Sequence, residues 1–177
     1  KILDTLSFSV KPGELLALVG PTGSGKTTIL RLLSRLYDGY SGTITLDNHD
    51  LSSLNLDDTR EHIAVVNQET TLFSQSIAFN ITLGNPKISK DRMIWAAKHV
   101  HIHNFIMSLP HAYDSILEKG SQSLSSGQAQ LISFARALAS HSPIILLDEA
   151  TSAVDSLAEK VIQKGISALL KQKTAIV

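Results

Sequence analysis

"LLALVGPTGSGKTTILRLL", residues 15–33, sets an apolar run against a glycine-rich turn, and that turn against apolar positions spaced as on a helix. Within it, Gly20 to Thr27 fit the pattern G-x-x-x-x-G-K-[ST] without a mismatch. The pattern has a physical basis. Gly20, Gly23 and Gly25 permit the backbone to curl until its N–H groups face inward on an anion. The helix starting near Lys26 adds its positive N-terminal end. Lys26 reaches the β- and γ-phosphates, and Thr27 offers its hydroxyl to Mg²⁺. Pro21, Thr22, Ser24 and Thr28 complete the loop. A strand, this loop and a helix in that order make a nucleoside triphosphate site on an α/β core.

The acidic half of such a site lies far downstream. "PIILLD", residues 143–148, is continuously apolar up to its last residue, as a strand covered on both faces is. Ligands of open α/β sheets gather at the carboxyl ends of the strands, so Asp148 and Glu149 are expected to meet the phosphates there. Asp148 is assigned to hydrated Mg²⁺ and Glu149 to polarising the attacking water. Adjacent strand residues point to opposite faces. The chain must therefore turn at Asp148–Glu149 for both to serve one site.

Outward from these two anchors, "LSFSV" (6–10) and "LLALVG" (15–20) read as strands joined by the turn "KPGE". "KTTILRLLSRLY" (26–37) reads as a helix ending before Gly39, and "GTITLDN" (42–48) as a short antiparallel strand. "IAVVN" (63–67) is another strand. Residues 89–110 carry helical periodicity, with Ser89 as cap and Pro110 as stop; 125–140 place Leu131, Phe134, Ala135 and Leu138 on one face. "SLAEKVIQKGISALLKQK" (156–173) is a further amphipathic helix, weakened by Gly165, before the strand "TAIV". Residues 52–55 read as an ordinary loop. The sum is a single domain over 1–177, with a core at approximately 1–70 and 141–177, a small antiparallel β part, and an inserted helical subdomain at approximately 71–140.

Composition narrows the class. A hydrophobic fraction of 43% against 18% charged residues is globular, and 177 residues can bury one sizeable core. Lys+Arg 16 balance Asp+Glu 16, so no basic field favours nucleic acid or anionic lipid. The absence of cysteine excludes disulfides and thiolate metal sites. No apolar stretch approaches the roughly 20 residues that span a bilayer. The chain begins and ends inside apolar patterns, which reads as a piece of a larger domain.

Three stretches together carry a resemblance: "GPTGSGKTT" (20–28), "LSSGQ" (124–128) and "IILLDEATSAVD" (144–155). They resemble the nucleotide-binding domain of ATP-binding cassette (ABC) transporters over nearly the whole chain, most closely the exporter type, which implies a parallel-sheet core of the P-loop NTPase (RecA-like) type. The resemblance implies ATP with Mg²⁺ and head-to-tail dimers, each nucleotide lying between one chain's phosphate loop and the other's "LSSGQ". Ser125 then donates its hydroxyl and Gly127 its backbone N–H to the partner's γ-phosphate, with Gln128 beside them. "VVNQETTLF" (65–73) looks like the family's glutamine loop, so Gln68 approaches Mg²⁺ and the γ-phosphate while sensing membrane domains. Asp155 lies at the subunit interface. The implied protein is an ATPase that powers transport, most similar to export, held at the cytoplasmic face of a membrane by transmembrane domains outside this chain.

The resemblance also has departures. The family's usual LSGGQ carries a serine here at Ser126, the preceding segment reads "SILEKGSQS" (115–123), and Ala129 stands where a basic residue is common. An adenine-stacking aromatic is expected before Lys1 and a switch histidine beyond Val177. Two other readings stay open. One is a soluble cassette ATPase acting on nucleic acid or ribosomes, against which neutral charge and "LFSQSIAFNI" (72–81) count. The other is a slow member of an unequal pair, which Glu149 opposes and Ser126 permits. His99, His101 and His103 are set aside as a metal site, because only His99 and His103 share a helical face and no carboxylate or thiol completes the set. Trp95 is read as a packing or lobe-surface residue rather than a base-stacking platform.

Overall fold

A computed structural model describes residues 2–117, 124–148, 156–171 and 173–177. Its centre is a four-stranded parallel sheet of β1 (Leu15–Leu16), β4 (Ile63–Val66), β5 (Ile144–Leu147) and β6 (Thr174–Ile176). The spatial order is β1-β6-β5-β4. Ile63 to Val66 pair residue for residue with Ile144 to Leu147, and the Asp148 N–H extends that ladder to the Val66 carbonyl at 2.9 Å. Leu16 pairs with Ile176, and Leu18 N–H reaches the Val177 carbonyl at 2.6 Å. All strands being parallel, the chain leaves β1, β4 and β5 at one edge of the sheet.

The unbroken apolar run of β5 has the expected cause. Its alternate residues feed two separate cores: Ile145 and Leu147 pack with the helices of one face, while Leu146 packs with Leu30 and Ile176 on the other. Leu30 belongs to α1 (Lys26–Leu33), the helix that follows the glycine-rich turn. The larger cluster joins the sheet to α3 (Ile77–Thr82), α4 (Lys90–His99), α5 (His103–Ser108), α6 (Ser126–Ala139) and α7 (Ser156–Leu170). Phe134 of α6 is fully buried at its centre. Gly165 does not weaken α7 without return. A Cβ there would stand 3.2 Å from the side chains of both Leu131 and Phe134, so the missing side chain lets α7 close on α6.

Several expected elements come out differently. Residues 6–10 form no strand, and Leu6 and Phe8 are exposed. "LLALVG" is a strand only at Leu15–Leu16. "GTITLDN" is half of a hairpin: β2 (Thr45–Leu46) and β3 (His49–Asp50) flank Asp47 and Asn48, whose φ of 49° and 66° are the pair that a tight primed turn needs. The loop expected at 52–55 contains a 3₁₀ turn, Leu51–Ser53, and the Asn55 cap of α2 (Leu56–His62).

The helices expected at 26–37 and 89–110 both stop early, for the same reason. After α4, His101 takes φ 63°, its N–H bonds the Lys98 carbonyl, and Ile102 N–H reaches back to Ala97. After α1, Arg35 takes φ 53° with bonds from Arg35 to Leu32 and from Leu36 to Arg31. This is the paired closure that commonly ends a helix, with histidine and arginine in the left-handed position that glycine usually holds.

Candidate functional site

The loop between β1 and α1 is built as the glycines anticipate. Gly23 and Gly25 have φ of 83° and 97°, a region that side chains with a Cβ rarely enter. Ser24 N–H closes a turn on the Pro21 carbonyl at 3.2 Å, and a Cβ on Gly20 would collide with Ser24 Oγ at 2.7 Å. Gly25 caps α1, and a Cβ there would meet Leu3 at 2.8 Å. Residues 20–24 are exposed, so their backbone is open to solvent. Lys26 folds back over the loop, its ammonium donating to the carbonyls of Gly20 (2.7 Å) and Pro21 (3.1 Å).

One helical position further, Thr27 Oγ1 donates to Asp148 Oδ1 at 3.1 Å. The two residues are 121 positions apart, and the bond is part-buried. It joins the first turn of α1 to the carboxyl end of β5. Gln68 stands at an exposed bend two residues beyond Val66, on the same edge of the sheet. Glu149 and Asp155 lie outside the described residues, as does most of the 115–123 segment.

The serines of "LSSGQ" begin α6 with a reciprocal cap. Gln128 N–H donates to Ser125 Oγ at 3.1 Å, and Ser125 N–H donates to Gln128 Oε1 at 3.0 Å. Two otherwise orphaned amide groups are satisfied this way. Ser125 and Ser126 are exposed, while Gly127 is buried. Ser126 sits in the first helical turn with its side chain in solvent. α6 packs on α3, α4, α7 and β4, so the cap belongs to the helical side rather than to the loop of its own chain.

Four side chains that the sequence did not single out hold this arrangement: Asn80, Arg136, Lys173 and Arg92. Asn80 is fully buried and clamps the segment after Gln68: it accepts from Phe73 N–H at 2.8 Å and donates to the carbonyls of Phe73 (3.0 Å), Gln75 (3.3 Å) and Ser76 (3.0 Å). Arg136, in α6, donates to the carbonyls of Asn80 (2.8 Å) and Thr71 (3.3 Å), and burial lowers its pKa. Lys173 donates to the carbonyls of Ala137, Ser140 and Ser142 at the end of α6. Burial, and secondarily Arg92, bring its pKa down to about 8. Arg92 itself donates to Leu138 at 2.7 Å. The one available signal was a lone arginine in the apolar stretch "LISFARALA".

The histidines are engaged otherwise. His103 Nδ1 pairs with the Tyr113 hydroxyl at 2.9 Å, and His99 Nδ1 lies 2.8 Å from the Trp95 carbonyl. Among the described residues no group of three metal-ligating side chains exists. Trp95 packs against Arg92, 4.0 Å from its ring centre, and His99, whose ring centre is 4.1 Å away.

A glycine-rich nest at a helix N-terminus, a lysine folded over it, and a threonine bonded to a strand-end aspartate together define a phosphate-loop nucleotide-binding protein. Comparison with known proteins makes the class specific. The family model described as "ABC transporter" matches residues 3–152, and the chain belongs to that family, which implies ATP binding. It is 47% identical over 175 residues to the ATP-dependent lipid A-core flippase of Saccharophagus degradans, covering 99% of this chain and 30% of that protein. It is 47% identical over 180 residues to multidrug resistance protein pgp-1 of Caenorhabditis elegans, covering all of this chain and 14% of that one. With ABC transporter B family member 28 of Arabidopsis thaliana the identity is 42% over 179 residues, again covering all of this chain and 25% of the relative. The chain thus spans less than a third of the length of these relatives. Among the described residues no helix is long and apolar enough to cross a membrane.

Proposed function

We propose that this chain is the ATP-hydrolysing part of an ABC exporter, working as one half of a head-to-tail dimer. The observation that carries the reading is the Thr27–Asp148 hydrogen bond, which sets a hydroxyl and a carboxylate side by side where the phosphate loop meets the sheet edge. Hard oxygen ligands of this kind suit Mg²⁺, which keeps several waters and binds through one or two protein oxygens plus phosphates. Bound there, Mg²⁺ would neutralise charge on the β- and γ-phosphates. Thr27 would ligate it directly, Asp148 through water, and Gln68 would approach from the neighbouring strand end.

The loop's own chemistry fits a triphosphate. The exposed backbone of Gly20–Ser24 and the start of α1 favour an anion. Among the described residues the Lys26 ammonium is held by neutral carbonyls, which it can exchange for phosphate oxygens. Thr28 extends the loop into α1. Glu149 would orient and polarise the attacking water. Ser125, Gly127 and Gln128 would meet the γ-phosphate held by a second copy or a related cassette. The exposed cap at Ser125 supports this, because its hydroxyl oxygen accepts from Gln128 N–H and its proton can still be donated.

The names of the relatives, a flippase and a multidrug resistance protein among them, support export driven by transmembrane domains. Phe73 and Leu83, 46% and 49% exposed on the lobe beside the glutamine segment, offer an apolar surface to such domains. In this reading the cassette works at the cytoplasmic face of a membrane, with approximately 71–140 as the helical subdomain and approximately 1–70 and 141–177 as the nucleotide core. The reading is tested by calorimetry on the full-length protein: Lys26→Ala should abolish tight Mg-ATP binding. Unchanged affinity would remove the loop from the site.

A further inference from the structure

Arg136 is a half-buried charge that nucleotide chemistry leaves unexplained. It lies about three turns along α6 from Ser125. Among the described residues its guanidinium donates to carbonyl oxygens and forms no ion pair with a carboxylate. Burying a cation is costly unless its donors are satisfied, so the position of those carbonyls matters. The Thr71 carbonyl is three residues past Gln68. The Asn80 carbonyl belongs to the residue whose side chain clamps Phe73, Gln75 and Ser76. Arg136 and Asn80 therefore grip the segment after Gln68 from two sides. That segment has no regular structure of its own between β4 and α3.

We infer that Arg136 is a positioning residue: its guanidinium fixes the glutamine segment, 68–76, to the helix that carries the Ser125 cap. The two then move as one body. The inference rests on the proposed function, in which Gln68 serves its own chain's nucleotide and Ser125 the partner's. A shift at one nucleotide is in this way transmitted to the other through the Arg136 guanidinium and the Asn80 clamp it holds. Lysine cannot replace it, because a point charge lacks the planar fork that spans two carbonyls.

Two measurements test the inference in the full-length protein. In the first, Arg136→Lys is compared with wild type for ATP affinity and turnover, alone and combined with Gln68→Ala. The expected result is unchanged ATP affinity with turnover reduced by roughly 10²-fold, the scale of a small misplacement of a reacting group. The further loss on adding Arg136→Lys to Gln68→Ala should be much smaller, since residues that act through one network are non-additive. Wild-type turnover in Arg136→Lys, or losses that simply add, would overturn the inference. The second measurement needs no variant and no nucleotide. In native-state hydrogen exchange of the unmodified protein, the amides of 71–76 should open together with those of α6 around Arg136. Opening of 71–76 in a separate, easier step would overturn the inference even if the protein is an ATPase. A protein that shows joint opening but hydrolyses no ATP would instead refute the function and leave the mechanical link standing.

Discussion

Replacing Asp148 by asparagine removes one charge and leaves the local geometry in place. The backbone bond from Asp148 N–H to the Val66 carbonyl, 2.9 Å, does not depend on the side chain. The carboxamide oxygen can still accept from Thr27 Oγ1, which now stands 3.1 Å from the carboxylate. The bond changes from charge-assisted to neutral, from about 1.5–3 to about 0.5–1.5 kcal/mol, so the fold loses on the order of 1 kcal/mol. For a domain of this size that is a fall in unfolding midpoint of roughly 2–4 °C. The effect on metal should be far larger. Residues that hold a metal through its water or orient its ligands are worth roughly 10–100-fold in affinity. The half-saturating Mg²⁺ concentration for ATP hydrolysis by full-length Asp148→Asn protein should rise by that factor. ATP binding in the presence of a chelator should stay as in wild type. An unchanged Mg²⁺ requirement would refute the assignment of Asp148, and a loss of folded protein would show that the carboxylate is structural instead.

Glu149→Gln should retain nucleotide binding, accumulate ATP-bound dimers and lose turnover by roughly 10²–10⁴-fold, the usual worth of a positioned base; wild-type turnover, measured by phosphate release, would transfer the water to another residue. Lys173 makes stability depend on alkaline pH. Its pKa is lowered to about 8 from 10.5, so between those values the unfolded chain holds more protons than the folded one and stability rises with pH. Thermal unfolding of wild type should therefore gain on Lys173→Met as pH climbs from 8 to 10.5, and parallel curves would mean that burial does not disfavour the charged lysine.

Much of this site was legible because its chemistry is local. The glycines, Lys26 and Thr27 are contiguous, and their backbone demands are written in residue type. Asp148 could be placed because a fully apolar run announces a central strand, and functional groups lie at strand ends. Ser125 and Gln128 stand three residues apart at the head of an apolar run, the spacing of the reciprocal cap that the structure shows. The early ends of α1 and α4 were not legible. Their left-handed closing residues are Arg35 and His101, and only glycine signals that conformation in sequence. The clamp by Asn80 and Arg136 was hidden for a different reason. Its acceptors are backbone carbonyls, which every residue carries, so no residue type at 71–76 reports which side chain will bind there. The "LSFSV" run alternates as a strand does, yet alternation alone supplies no neighbour to pair with.

The central claim is that each nucleotide is completed by the other chain. It is tested most directly by mixing full-length Lys26→Ala protein with full-length Ser125→Arg protein, each inactive as a homodimer. In the heterodimer one composite site carries both lesions. The other pairs the intact phosphate loop of the Ser125→Arg chain with the intact Ser125 cap of the Lys26→Ala chain. ATP hydrolysis should reappear on mixing and rise with the heterodimer fraction, measured in the same samples by ATP-dependent association. Heterodimers that form without any recovered turnover, or a Ser125→Arg homodimer that hydrolyses ATP as wild type does, would contradict it.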